Sequence, residues 1–300
     1  MSEFGIRPLA TLCALCALPL AALAGSGSVD RKVNADPKGE VQISNVSGTV
    51  DVRAWDRNEI QVSGQIGEDV ERVDVDSSPG RTVIKVILPH NSGNDGEANL
   101  TVQVPSMSSL EVSAVSADVS SHGVLGTQRL KTVSGEIKAE VAGDESEVRT
   151  VSGDLTVRAS GKPIALRVSS VSGSLDLTNG AGKLDVVTVS GDAHLQMGDT
   201  SEVTARTTSG ELELRARLLR DARVSVEGVS GDVTLRLANA GGLTTELESF
   251  SGDIHGCLAE NDVEHVSKYG PGVRLNKRVG EGSARVRAKT LSGDIEICDK

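Results

Sequence analysis

The sequence predicts an all-β chain wound as a right-handed parallel β-solenoid, with about 18–21 residues per coil. Three observations carry this. A Ser-Gly-acid phrase recurs along the chain, its flanks alternate between apolar and polar residues, and no segment holds a convincing helical stripe. Taking the serine as marker, the phrase stands at Ser116 (in the degenerate form "VSAD"), Ser134, Ser152, Ser172, Ser190, Ser209, Ser230, Ser251 and Ser292. The intervals are 18, 18, 20, 18, 19, 21, 21 and 41, the last close to two periods. Ser47 in "NVSGTVDV" is an earlier copy. Repeats of this length bury their apolar face only against their neighbours.

Residues 1–24 read as a signal peptide: Arg7 precedes the apolar run "LATLCALCALPLAALA", which ends on the small-x-small triplet Ala22-Leu23-Ala24. The run is short for a bilayer span, which takes about 20 residues. Neither Cys13 nor Cys16 comes after the small residue that a lipoprotein signal needs. Residues 25–39 are expected to be a flexible linker, and 40–110 an irregular first section of the solenoid, in which strands such as "RTVIKVILP" are separated by polar loops such as "HNSGNDGE". Residues 111–256 are the regular repeats. Within each, apolar pairs such as Leu155 and Val157, Leu175 and Leu177, or Leu212 and Leu214 come after the marker at strand period, and a looser glycine turn stands about nine residues later. Residues 257–300 are expected to hold a looped excursion and a final capping coil. Parallel crossovers in one sheet are right-handed by strong default.

The corner phrase has a local reason. Glycine supplies backbone angles that a β-carbon forbids, and serine can bond its hydroxyl to backbone at the bend. A Thr or Ser two before most markers (Thr132, Thr150, Ser170, Thr188, Thr207, Ser249, Thr290) could bond coil to coil.

Composition narrows the function. The net charge of −11 argues against nucleic acid, which needs clustered Lys and Arg. Past residue 24 the aromatics are Trp55, Phe250 and Tyr269, too few for stacking platforms. The core must therefore come from small aliphatic residues, which suits thin stacked layers.

The acid after Ser-Gly is the best candidate for chemistry. Glu136, Asp154, Asp192, Glu211, Asp232, Asp253 and Asp294 are expected to form a column, interrupted by Ser174. At a coil spacing of about 4.8 Å, neighbouring carboxylates repel by roughly 1 kcal/mol in water. Either a cation ladder or a cationic partner relieves this, or each carboxylate accepts backbone N–H at its corner beside Lys131, Arg149, Arg206 and Lys289. One acid per coil is sparse for calcium, so the backbone reading is favoured and no metal or cofactor is expected. The acids run in file and do not converge, and no His-Glu-x-x-His, Gly-x-Ser-x-Gly or phosphate-loop motif appears, so no catalytic residue is expected. Cys257 and Cys298 both fall six residues after their marker. If residues 258–280 loop out, the two stand in adjacent coils within disulfide reach, and a disulfide is expected.

The leading strands around "VRAWDRNEIQVSG", the "LTVQVP" strand and the serial "VSGD" units resemble the DUF4097 group of bacterial exported proteins, labelled "putative adhesin" and related to the head domain of auto-transporter-like adhesins. The likeness runs from about residue 40 to the C-terminus. It implies a right-handed β-solenoid outside the cytoplasm with no demonstrated catalysis. The expectation is a non-enzymatic adhesin-like, scaffold or binding module in the periplasm or at the cell surface, with an unknown envelope or surface partner. A polysaccharide-active β-helix enzyme and a calcium-dependent binding module are the alternatives.

Overall fold

The computed structural model describes residues 27–89, 96–238, 241–259, 262–266 and 271–299. The expected signal peptide at 1–24 lies outside the described residues. All regular structure is β. The N-terminal third holds β1 (Gly27–Asn34), β2 (Glu40–Trp55), β3 (Glu59–Ile66), β4 (Arg72–Ser78), β5 (Arg81–Ile87) and β6 (Glu97–Pro105). The repeats form β7 (Ser109–His122), β8 (Gln128–Ser134), β9 (Ile137–Val141), β10 (Glu145–Ser152), β11 (Leu155–Ala159), β12 (Ile164–Ser172), β13 (Leu175–Ser190), β14 (Ala193–Ser209), β15 (Leu212–Ser230) and β16 (Val233–Ala238). The C-terminal part holds β17 (Gly242–Ser251), β18 (Ile254–His255), β19 (Val263–His265), β20 (Val273–Gly280), β21 (Ala284–Ser292) and β22 (Ile295–Cys298).

Each coil has one strand before the Ser-Gly corner and one after it, and both pair in parallel with the neighbouring coils. The markers sit in register: Ser134 beside Ser152, Ser152 beside Ser172, then Ser190, Ser209 and Ser230. Inward residues alternate with outward ones on both strands. In one coil Val148 and Thr150 face inward before the corner, and Leu155, Val157 and Ala159 after it. Stacked in register, these make continuous columns, for example Ile137, Leu155, Leu175, Ala193, Leu212 and Val233. The columns form one aliphatic core. This is a parallel β-solenoid.

The stack departs from chain order at its ends. Ser292 pairs with Ser230 on one side and Ser251 on the other. The coil of β21 and β22 is therefore slotted between the Ser230 coil and the coil of β17 and β18. At the other end, β2 lies between β7 and the pair β5 and β6. The outermost coil at each end carries antiparallel strands: β20 on β17, β4 on β5, and β3 on β6. Such strands cover backbone groups that would otherwise offer a template for another chain.

The structure corrects three expectations. Residues 27–34, expected to lie in a flexible linker, form β1, paired with β3 over its whole length. Eight consecutive paired residues hold that segment as sheet. The first coil is regular, since β2 matches β7 from Glu40 to Arg53, and the irregular part begins only after β2. The segment 284–298 is no terminal cap but an inner coil. The chain after β18 turns back through β19 and β20, which pair antiparallel, so it re-enters the stack one layer inside.

Candidate functional site: the Ser-Gly edge

The corner exists because glycine permits it. Gly191 has φ 121°, and a β-carbon there would stand 2.3 Å from the Gly173 carbonyl oxygen of the preceding coil. The same closeness recurs up the stack, with Gly293 on Gly231 and Gly252 on Gly293, in the interleaved order.

Beside the glycines runs the acidic column. In space it reads Asp118, Glu136, Asp154, Ser174, Asp192, Glu211, Asp232, Asp294 and Asp253, so the structure brings all seven expected acids into one file. Each aspartate except the last accepts the backbone N–H at the same position in the next coil. Asp118 takes Glu136 N–H at 2.8 Å, Asp154 takes Ser174 N–H at 2.8 Å, and Asp192 takes Glu211 N–H at 2.9 Å. Asp232 takes Asp294 N–H at 2.9 Å, and Asp294 takes Asp253 N–H at 2.8 Å. Among the described residues neither glutamate makes this bond. One added methylene moves the carboxylate off the adjacent amide, and Glu136 meets Lys138 Nζ at 2.7 Å instead. Asp192→Glu is accordingly expected to lose a charge-assisted bond and destabilise the protein by about 1 kcal/mol. Asp192→Asn keeps the acceptor and should stay close to wild type; urea denaturation of the two variants checks the order.

The cations expected beside this column serve another one. Arg149 pairs with Glu147, Arg206 with Glu227 at 3.2 Å, and Lys289 with Glu248 at 3.2 Å. They project from the strand before the corner, where parallel pairing builds the alternating file Arg206, Glu227, Lys289, Glu248. Lys289 beside Glu248 holds that carboxyl below the usual carboxylate range, and on the other strand Arg215 does the same for Glu213. The hydroxyls two before the marker divide in role. Thr132 bonds Ala117 O at 3.2 Å and Ser249 bonds Gly293 O at 2.9 Å, both across coils. Thr207 and Thr290 bond the carbonyl of their own marker serine, and the Thr150 and Ser170 hydroxyls are buried without a partner.

The expected disulfide is not formed. Cys257 and Cys298 stand side by side as free thiols. Gly256, at φ 111°, turns the chain so that the Cys257 N–H, not its sulfur, points at Cys298 Sγ, 3.1 Å away. Cys257 Sγ lies near Asp299 Oδ1 at 3.7 Å, and burial pushes this thiol's pKa up.

Sequence reasoning misses a further feature of this edge. The residue just before each marker faces solvent and is apolar: Val115, Val133, Val151, Val171, Val189, Val229, Leu291 and Phe250, each 42–55 % exposed. Within these coils Thr208 interrupts the series. The file runs roughly 40 Å along the stack, given the strand spacing of a sheet. A signal was present: the inward Thr or Ser two before the marker forces the next residue outward. Single exposed valines are ordinary in strands, but here they stand in file, broken once at Thr208 and ending in leucine and phenylalanine, which makes this edge a candidate interaction surface. The carboxylate column flanks it on one side. No group of three or more His, Cys, Asp or Glu among the described residues has metal-binding geometry. No described helix is long and apolar enough to cross a membrane.

The fold recurs in known proteins. A 2.41 Å crystal structure from Parabacteroides distasonis, described as a putative adhesin, superposes with a TM-score of 0.52 at 9% identity, covering 91% of this chain and 98% of that one. A Bacteroides fragilis structure, also described as a putative adhesin, matches at 12% identity and TM-score 0.41, covering 91% and 98%. The first supports the fold alone. No curated protein matches significantly. The family model described as Toastrack DUF4097 matches residues 85–298, starting later than the likeness read from residue 40, at the strand that closes the N-terminal end of the stack. That span holds the Ser-Gly corners from Ser116 to Ser292, the acidic column and most of the core, and the chain belongs to the Toastrack DUF4097 family.

Proposed function

We propose that this chain is a non-enzymatic, exported β-solenoid that works in the cell envelope as an adhesin-like or scaffolding binding module. One observation carries the reading: the exposed apolar file from Val115 to Phe250, a long and shallow surface suited to an extended partner. Five aspartates of the neighbouring column are already engaged by backbone amides, which speaks for a structural role rather than acid–base chemistry. The adhesin description of the Parabacteroides distasonis neighbour agrees with binding. The partner belongs to the envelope or surface, and the column needs no calcium.

The test is a pull-down from envelope extract with residues 25–300, then direct affinity measurement on the recovered partner. A variant carrying Val133→Thr, Val151→Thr and Val171→Thr keeps β-branched side chains and so keeps the fold. It is expected to bind about tenfold or more weakly, a loss near 1.4 kcal/mol. Equal affinity of variant and wild type would remove the file as the binding surface. Turnover of a polyuronic substrate, or a lower melting temperature in EDTA, would replace the proposal with an enzyme or a calcium-dependent module.

A further inference from the structure

Outward charges on the strands before the corner are arranged with care. In two places where like charges fall side by side, a carboxylate pairs with at least one of them. Lys131 and Arg149 are in register, and Arg149 pairs with Glu147. Arg215 and Arg236 are in register on the other strand, and Glu213 reaches both, at 2.7 and 3.6 Å. Arg223 and Arg285 break the pattern. They are direct neighbours across β15 and β21, both exposed, and among the described residues neither has a carboxylate partner. The nearest acids in these files are taken: Glu202, opposite Arg223, binds Lys183 at 3.0 Å, and Glu246 binds Arg287 at 2.6 Å. Like charges directly opposite each other destabilise a sheet, so a counter-charge from outside would relieve this pair.

The surroundings suit one. Arg223, Arg285 and Arg287 line a groove of about 450 Å³ together with Ser225, Thr244 and Glu246; Glu246 is paired with Arg287, which leaves the Arg223 and Arg285 charges uncompensated among the described residues. Thr244 donates its hydroxyl to Gly282 O at 3.0 Å, which fixes that side chain beside the arginines. We propose that this groove binds a phosphate-type oxyanion, held between the guanidinium groups of Arg223 and Arg285. Planar guanidinium forks match the tetrahedral oxygens of a phosphate, and the Ser225 hydroxyl adds a neutral donor. The positive groove is a local exception on a chain of net charge −11, which favours a small anionic group over an extended polyanion. The interleaved topology creates it, since the two arginines are 62 residues apart in sequence. The site is independent of the apolar file, which lies at the corner.

The experiment compares wild type, Arg223→Gln/Arg285→Gln and a control, Arg217→Gln, whose side chain serves Asp199 elsewhere. Pyrophosphate is titrated at constant ionic strength against chloride, and sedimentation is measured with vesicles of phosphatidylglycerol or phosphatidylcholine. A pyrophosphate-dependent rise in melting temperature in wild type and control, absent in the double variant, establishes a free-phosphate site. Sedimentation with phosphatidylglycerol vesicles alone, weakened tenfold or more in the double variant, places the phosphate on a lipid headgroup. In low salt without phosphate the double variant should melt higher than wild type, because the repulsion is gone. A response equal in all three proteins, or no response to either probe, overturns the proposal.

Discussion

Gly191→Ala should destabilise the protein by about 2–5 kcal/mol, combining the strain of a left-handed backbone with overpacking. The added carbon has nowhere to go, because the Gly173 carbonyl oxygen lies 2.3 Å from its position. That oxygen is backbone and belongs to the neighbouring coil, so relief means separating two coils that share a hydrogen-bond ladder and a core. The strain also passes upward, since Gly210 packs on the Gly191 carbonyl in the same way. Gly198→Ala is the matched control. It lies in the strand that leaves this corner, its nearest contact would be an ordinary 3.5 Å, and its change should fall within about 0.5 kcal/mol. Urea denaturation of both variants decides the matter. Equal stabilities would mean that the corner stack does not set the coil spacing.

Ending the chain after Ser283 should unfold more than the deleted residues. In a simple solenoid, loss of the last repeat leaves the earlier ones intact. Here the deleted coil supplies Ala284, Val286, Ala288, Ile295 and Ile297, all at most 1% exposed, to the middle of a stack. It also supplies both ladders that join the Ser230 coil to the Ser251 coil. Hydrogen exchange is therefore expected to show protection lost across 242–255, while the coils up to Ser209 keep theirs. The truncated protein should also self-associate, because β15 and β16 become an open edge. Retained protection across 242–255 would contradict the interleaved order.

Much of this fold can be read from residues alone. The spacing of the Ser-Gly phrase defines the coil, the alternation of Leu155 and Val157 with polar neighbours defines the inside, and glycine at the corner marks a left-handed bend. The file of acids is legible too, because position within a coil becomes position in a column. These are local or periodic properties, and each coil expresses them without reference to the rest. The choice of carboxylate partners is less legible. Asp and Glu occupy the same position, but only the shorter side chain reaches the next coil's amide.

Residue order alone thus specifies a layered aliphatic solenoid with a glycine corner and an acidic column. Three-dimensional packing settles the rest: the order of the layers, the covering of both ends by antiparallel strands, the free state of Cys257 and Cys298, and the meeting of Arg223 with Arg285. The cause lies in the repeat. Every coil presents nearly the same edge, so the pattern of a coil is encoded within it, whereas its neighbour depends on how the connecting segments turn. An interval of 41 residues between Ser251 and Ser292 looks like two periods along the chain. In space it is a single layer, because the residues between fold back as an antiparallel return.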